Sequence, residues 1–339
     1  MRVLLTGGAG YVGSACFRAF RRKGLEAFVF DDLSEGHAAA VEASRLDVGD
    51  LRDTETVARI LRDRDITHVV HFAAKTSVPE SLQDPSGYWS TNVDGSRSLL
   101  EAMRATGVGR IVFSSTAAVY AHGLDRPIRE TDAIRPATPY GTSKLAVEHL
   151  LQGYAEGYGF GATALRYFNA CGADADGMHG EAHRQEGHVI PLILQTALGQ
   201  RGAFKVYGAR WSTPDGTCIR DFVSVLDLAE AHLLALRQLE TGRMASHNLG
   251  SGAGTSVRQL LDAASRLAGR PVPHAIEEPR PGDPAILVAD IASARAALGW
   301  EPRNSGIDRI LETAWRWHRG AGRSAYGTKN CGAAVRAAG

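Results

Sequence analysis

A short apolar run, Val3-Leu4-Leu5, breaks at once into Thr6-Gly7-Gly8-Ala9-Gly10-Tyr11-Val12-Gly13. From Tyr11 to Lys23 apolar residues then recur with helical spacing, up to a C-terminal cap at Gly24. A buried strand, a glycine-rich turn and a helix in immediate succession is the opening of a parallel α/β unit. Glycines at 7, 10 and 13 permit a tight turn, close approach of the backbone to a pyrophosphate, and close packing of helix on strand. Asp31 stands eighteen residues past Gly13, at the end of a second apolar run, Ala27 to Phe30. A carboxylate there accepts hydrogen bonds from both adenosine ribose hydroxyls and repels a 2′-phosphate, which points to NAD over NADP. Capping of a turn is the competing role for Asp31. Asp50, after the next expected strand, either reaches the adenine or caps the helix that starts near Thr54.

The alternation continues along the chain. Apolar runs at Thr67 to Phe72 and Arg110 to Ser114 alternate with helical stretches at Thr54 to Arg62 and Ser86 to Thr106. A further helix, Tyr140 to Tyr158, and a strand, Ala162 to Phe168, complete the rhythm. The expected fold is α/β: a Rossmann-type, doubly wound parallel sheet with a smaller C-terminal substrate-binding lobe. The first domain spans 1–172, with possible later returns of the chain; 173–319 forms mainly the smaller lobe. The segment 320–339 lacks an apolar pattern and is expected to be a loose tail.

With 38 basic and 37 acidic side chains the formal charge is +1, which provides no field to gather nucleic acid or an anionic membrane. Cys16, Cys171, Cys218 and Cys331 show neither a disulfide rhythm nor a metal-binding spacing, so a reducing cytoplasm is expected and no metal. Met1 to Gly10 does not read as a secretory signal, and no segment reaches the roughly 18 apolar residues of a membrane span.

Tyr140-Gly141-Thr142-Ser143-Lys144 opens a helix, and four-residue spacing puts Tyr140 and Lys144 on one face. A neighbouring ammonium and a positive nicotinamide ring favour the phenolate, making Tyr140 a usable general base. An isolated pair of this kind more often decorates an amphipathic helix. Here it follows a dinucleotide loop and Ser114-Ser115-Thr116 at a strand end. Open parallel sheets gather ligands beyond the carboxyl ends of their strands.

These motifs, with His71-Phe72-Ala73-Ala74, Val78-Pro79-Glu80-Ser81, Asn92-Val93, Ser114 to Tyr120, Arg166-Tyr167-Phe168-Asn169, Gly216 to Asp221 and Arg280-Pro281-Gly282-Asp283, resemble the extended short-chain dehydrogenases/reductases, and more narrowly the UDP-glucose (UDP-galactose) 4-epimerase family. The similarity runs from Met1 to about Trp317. It implies that Tyr140 is the base, Lys144 its partner on the nicotinamide ribose, and Thr116 the hydroxyl that bonds the sugar O4. The NAD positions it implies are Gly7, Gly10, Tyr11, Val12, Gly13, Asp31, Asp32, Asp50, Leu51, Phe72, Ala73, Ala74, Lys75, Asn92, Tyr140, Lys144 and Tyr167. Asn169, Arg220 and Arg280 match diphosphate-binding residues, Asp283 a ribose-binding carboxylate, and Tyr207 the aromatic facing the uracil. His188 stands near the uridine or is a structural histidine; Leu287 borders the sugar or packs in a strand. Two positions depart from the family: its loop lysine aligns with Thr76, against Lys75 here, and its glycine after Val119-Tyr120 is Ala121.

Related dehydratases place an acid pair directly after the threonine, and related decarboxylases a glutamate; this chain has Ala117 and Ala118. The resemblance therefore implies NAD-dependent 4-epimerisation of UDP-glucose/UDP-galactose through a transient 4-keto sugar. A UDP-pentose or UDP-N-acetylhexosamine substrate is the alternative, and a non-enzymatic NAD sensor is disfavoured by the intact Thr116, Tyr140 and Lys144. The helices at 86–106 and 140–158 resemble the pair that builds a homodimer in this family.

Overall fold

Strands and helices alternate through the first half of the chain: β1 (Arg2–Thr6), α1 (Tyr11–Arg22), β2 (Glu26–Asp31), β3 (Leu46–Val48), α2 (Thr54–Asp63), β4 (His68–His71), α3 (Val78–Gln83), α4 (Pro85–Tyr88), α5 (Gly95–Thr106), β5 (Arg110–Thr116), α6 (Pro139–Tyr158) and β6 (Gly161–Tyr167). The second half contains β7 (Asn169–Cys171), α7 (Val189–Ala197), β8 (Phe204–Tyr207), β9 (Ile219–Ser224), α8 (Val225–Arg237), β10 (Met244–Leu249), β11 (Gly254–Ser256), α9 (Val257–Ala268), β12 (His274–Glu277), β13 (Ile286–Leu287), α10 (Ala292–Leu298) and α11 (Ile307–Arg319). This computed structural model describes residues 1–121, 124–280, 282–320 and 326.

Seven strands form one parallel sheet in the order β10-β6-β5-β4-β1-β2-β3. Both faces are covered. Val3 and Leu5 enter the core on one side, with Phe17, Phe20 and the apolar residues of α8. Leu4 enters the core on the other, with α2, α5 and α6. This is why β1 is a continuous apolar run and not an alternating one. Chain order reverses at β1, which lies between β2 and β4, and opens a crevice at the carboxyl edge.

Beyond residue 172 the chain returns to the large domain, since α8 packs on α1 and β10 extends the sheet beside β6. The smaller lobe holds β9 with β7, β11 and β13, the pair β8 and β12, and a core built by α7, α9 and α11. The single helix expected over 86–106 is instead α4, a π turn at Trp89–Asp94, and α5. The wider turn carries the buried Asn92. The expected loose tail lies outside the described residues except for Gly320 and Tyr326; Tyr326 packs edge-on against Trp317 at 5.1 Å.

Candidate active site

The cofactor cradle is set by two glycines. At Gly7, φ is +69°, and an added Cβ would fall 2.4 Å from the Ala73 nitrogen, because β4 hands its chain across β1 at this point. A Cβ on Gly13 would fall 2.4 Å from the Gly7 carbonyl, so α1 starts in contact with the turn. Gly10 caps α1 without a side chain, which leaves the first N–H groups of the helix available to an anion. Phe72 and Ala73 donate their N–H groups to the Thr6 carbonyl at 2.8 and 3.0 Å, locking the β4 exit onto the β1 exit.

Asp31 ends β2 almost buried, accepting the Ala9 N–H on one oxygen and the Leu33 N–H on the other, both at 2.9 Å. It therefore braces the glycine loop, and each oxygen keeps a second lone pair with which it could accept a further donor. Burial pushes its pKa up, against these two backbone bonds. Asp32 accepts from the backbone and hydroxyl of Ser34. Asp50 is paired with Arg52, whose guanidinium also reaches Ser90. The N-cap of α2 is Asp53, not Asp50. Leu51 is half-buried against the cores of α2 and α5, and Val12 and Ala74 are partly exposed.

Two of the expected cofactor positions are engaged by neighbours within the chain. The Lys75 amine is held by Glu80 at 2.8 Å and Asp84 at 3.5 Å, so its charge is spent on α3 and the turn after it. The Asn92 amide oxygen accepts the Lys75 N–H, and its nitrogen donates to the Lys75 carbonyl and to Ser143 Oγ at 2.9 Å. At 1% exposure it clamps the loop after β4 to α6.

The expected catalytic positions converge at the carboxyl ends of β5 and β6. Thr138 caps α6 by accepting the Gly141 N–H, Pro139 occupies the first turn, and Gly159 closes the helix at φ +72°. These local signals place Tyr140 in the first turn and Lys144 one turn on. Thr116 ends β5 in register with Tyr167. The Tyr140 pKa is pushed up by burial and drawn back by the nearby Thr116 hydroxyl. Lys144, buried, donates to the Ser114 carbonyl at 2.9 Å and lies 4.7 Å over the Phe113 ring; burial lowers its pKa to about 7, opposed by Glu148. The chain alone thus keeps Tyr140 protonated, where the sequence led us to expect a lowered phenol. Tyr88 stacks edge-on to Tyr140 at 6.4 Å.

Under this helix lies a buried pair that the sequence reading missed. Arg166 Nε sits 3.0 Å from Glu148 and its Nη1 donates to the Tyr120 hydroxyl at 2.9 Å, while Ser115 also donates to Glu148. A lone arginine inside an apolar strand was the available signal.

On the smaller lobe, Arg280 stacks on Tyr207 with its guanidinium carbon 3.9 Å from the ring centroid. Arg220 lies 3.8 Å from Asp283, and Leu287 pairs in register with Arg220. Asn169 donates to the Asp221 carbonyl at 2.7 Å, tying β7 to β9. The expected nucleotide-binding residues therefore form one cation–π pair, Arg280 on Tyr207, and one ion pair, Arg220 with Asp283, with Leu287 next to Arg220. His188, expected near the uridine or as a structural histidine, has its Nδ1 against Glu181, its backbone N–H donating to Glu186, and its ring edge-on to His183. Tyr11 turns its hydroxyl to the Gly172 carbonyl at 2.6 Å and packs edge-on to His183.

Residues 3–250 match the NAD dependent epimerase/dehydratase family. The UDP-glucose 4-epimerase of Halalkalibacterium halodurans is 43% identical over 320 residues, 94% of this chain and 96% of that protein. The crystal structure of UDP-glucose 4-epimerase from Brucella ovis in complex with NAD superposes with a TM-score of 0.90 at 42% identity, over 93% of this chain and 97% of that one. That from Bifidobacterium longum, in complex with NAD+ and UDP, gives 0.87 at 32% identity, over 94% and 98%.

Proposed function

The chain belongs to the NAD dependent epimerase/dehydratase family as an isomerase of the UDP-glucose 4-epimerase kind, and we propose that Tyr140, Thr116 and Lys144 perform the NAD-dependent 4-epimerisation of a UDP-sugar. The observation that supports the assignment of residues is the placement of Tyr140 in the first turn of α6, buried near Thr116 at the end of β5, with Lys144 one turn further on. The glycine loop and Asp31 would hold NAD, which when bound would serve as hydride acceptor and donor for C4. Thr116 bonds the sugar O4. Tyr140 takes the hydroxyl proton as C4 is oxidised and returns it as the 4-keto sugar is reduced on its other face. Lys144 binds the nicotinamide ribose, and its positive charge favours the phenolate. Arg220, Arg280, Asn169, Asp283 and Tyr207 hold the UDP moiety while the sugar turns about its diphosphate. Ala117 and Ala118 offer no acid to divert the ketone, which supports epimerisation over dehydration.

UDP-glucose and UDP-galactose are the proposed pair, in galactose metabolism in a cytoplasmic setting. Free thiols at Cys16, Cys171 and Cys218 fit a reducing compartment, and no helix of the described residues is long and apolar enough to cross a membrane. A homodimer through α5 and α6 belongs to the same proposal, supported by the exposed Tyr158 at the end of α6. Light scattering at micromolar concentration should return twice the chain mass; a monomer refutes this part.

The test of the reaction is a panel of UDP-sugars assayed for 4-epimer formation without added cofactor. Tyr140→Phe should lower turnover by about 10² to 10⁴ while UDP affinity stays near native. A near-native rate in that variant removes Tyr140 from the role.

A further inference from the structure

Between β7 and α7 the chain crosses the mouth of the cofactor cradle. In this crossing Glu181, His183, Glu186 and His188 converge so that one donor atom of each lies within 4.8 Å of the others. His183 Nδ1 is 3.1 Å from Glu181 Oε1 and 3.9 Å from Glu186 Oε2. His188 Nδ1 touches Glu181 Oε1 and stands 3.7 Å from Glu186 Oε1. Around a tetrahedral zinc ion with bonds of about 2.1 Å, donors are roughly 3.4 Å apart, so the four need only small shifts to close on one ion.

Two further observations point to a cation and not to hydrogen bonding alone. Both carboxylates are buried, their side chains 4% and 6% exposed, and their ion-pair partners in the cluster are imidazoles, which carry charge only when protonated. Buried carboxylates call for compensating charge, which the imidazoles supply while they hold the extra proton these carboxylates favour and which a metal ion would supply in its place. His183 Nδ1 is itself a buried atom without a hydrogen-bond partner, although a carboxylate oxygen lies 3.1 Å away. Its direction suits no hydrogen bond, whereas an imidazole nitrogen shared among carboxylates is what a metal ion takes.

We propose that Glu181, His183, Glu186 and His188 bind one divalent transition-metal ion, zinc by the donor set, as a structural staple. Two imidazoles with two carboxylates suit zinc, while magnesium and calcium favour all-oxygen shells. The segment the ion would close is tied to the cradle at several points. His37 Nε2 meets the Ala182 carbonyl at 2.7 Å, and Arg184 donates to the Leu33 carbonyl at 3.2 Å, both on the loop that follows Asp31. Tyr11, the first residue of α1, packs on His183, and Trp317 of α11 donates to the Glu181 carbonyl at 2.7 Å. Closing the four ligands therefore fixes α1, the 33–37 loop and α11 together, and slows escape of the dinucleotide; that last consequence rests on the NAD reading above, the ion site does not.

The test uses the untagged full chain with its bound cofactor, dialysed against a chelator and then titrated with zinc chloride against a chromophoric competitor. One zinc per chain should bind, with a dissociation constant below about 1 μM, and raise the melting temperature. Glu186→Gln and His183→Gln should each weaken zinc binding at least about tenfold, and millimolar magnesium should not compete. Tyr140→Phe should bind zinc as the unaltered chain does, which separates this site from the catalytic reading. If one variant does not fold, the other and the stoichiometry of the unaltered chain still decide. No uptake of zinc in the micromolar range, or an affinity in both variants equal to that of the unaltered chain, leaves the four residues a hydrogen-bonded cluster and overturns the proposal.

Discussion

Leu287 pairs with Arg220 across β13 and β9, and its half-buried side chain packs against the large core. It therefore has one side in packing and one beside a residue proposed to bind the diphosphate. If that second side meets the sugar, its size grades the choice of substrate. Leu287→Gly should raise turnover of UDP-N-acetylglucosamine relative to UDP-glucose, and Leu287→Tyr should lower it. A few methylene-sized groups in an apolar wall shift discrimination by about 1 to 3 kcal/mol, so the preference should be graded and not absolute. Steady-state rates on the two sugars decide it; an unchanged ratio in both variants makes Leu287 a packing residue. Lys75 shows the limit of reading single residues from sequence. A lysine near the cradle suggests a cofactor contact, and the acids that pair with its amine, Glu80 and Asp84, come from a helix and turn whose approach only the fold reveals.

Helix α6 joins what was legible in the sequence to what was not. Its start and end follow from local chemistry at Thr138, Pro139 and Gly159, and the same holds for β1, α1 and the strand end at Thr116. Such signals act within a few residues, so a sequence displays them. The π turn at Trp89–Asp94 is different, because Asn92 is drawn inward by Lys75 and Ser143 from distant segments. Likewise the helix rests on Glu148, which meets Arg166 of β6 and Ser115 of β5; both members of the ion pair are about 5% exposed. Glu148→Gln leaves the guanidinium buried without its counter-charge and should cost about 3 to 5 kcal/mol in unfolding free energy. The double variant Glu148→Leu with Arg166→Met should recover most of that loss, since an apolar pair carries no desolvation penalty. Chemical denaturation of the cofactor-saturated protein gives the values; a loss under about 1 kcal/mol in the single variant would mean that solvent reaches the pair. The cluster at Glu181, His183, Glu186 and His188 was equally hidden, because its residues read as one more polar loop until Trp317 and Tyr11 are seen to pack on it.

Across the whole molecule, buried histidines bind the helical layers to the sheet. His71 of β4 bridges Thr6 of β1 at 2.7 Å and Ser96 of α5 at 2.8 Å. His232 of α8 reaches Ser114 of β5 at 3.0 Å from the opposite face. Burial, with the Lys144 charge adding to it, lowers His71 to about 3; burial lowers His232 to about 4, opposed by its bond to the Leu228 carbonyl. Both are neutral in the folded chain well below pH 6.5, where an unfolded chain begins to protonate them. Between pH 6.5 and these lowered values the unfolded state holds more protons, so unfolding free energy falls as pH falls. Each histidine contributes a slope of up to about 1.4 kcal/mol per pH unit in that window and none above it. Replacing His232 by Asn removes one such proton, whatever it does to stability at neutral pH. The midpoint of urea unfolding, followed from pH 7.5 to 4.5, should decline less steeply in His232→Asn than in the unaltered chain, with the curves parallel above pH 7. Curves that stay parallel throughout would mean that His232 titrates in the folded protein as it does in water, and that α8 does not seal this face of the sheet.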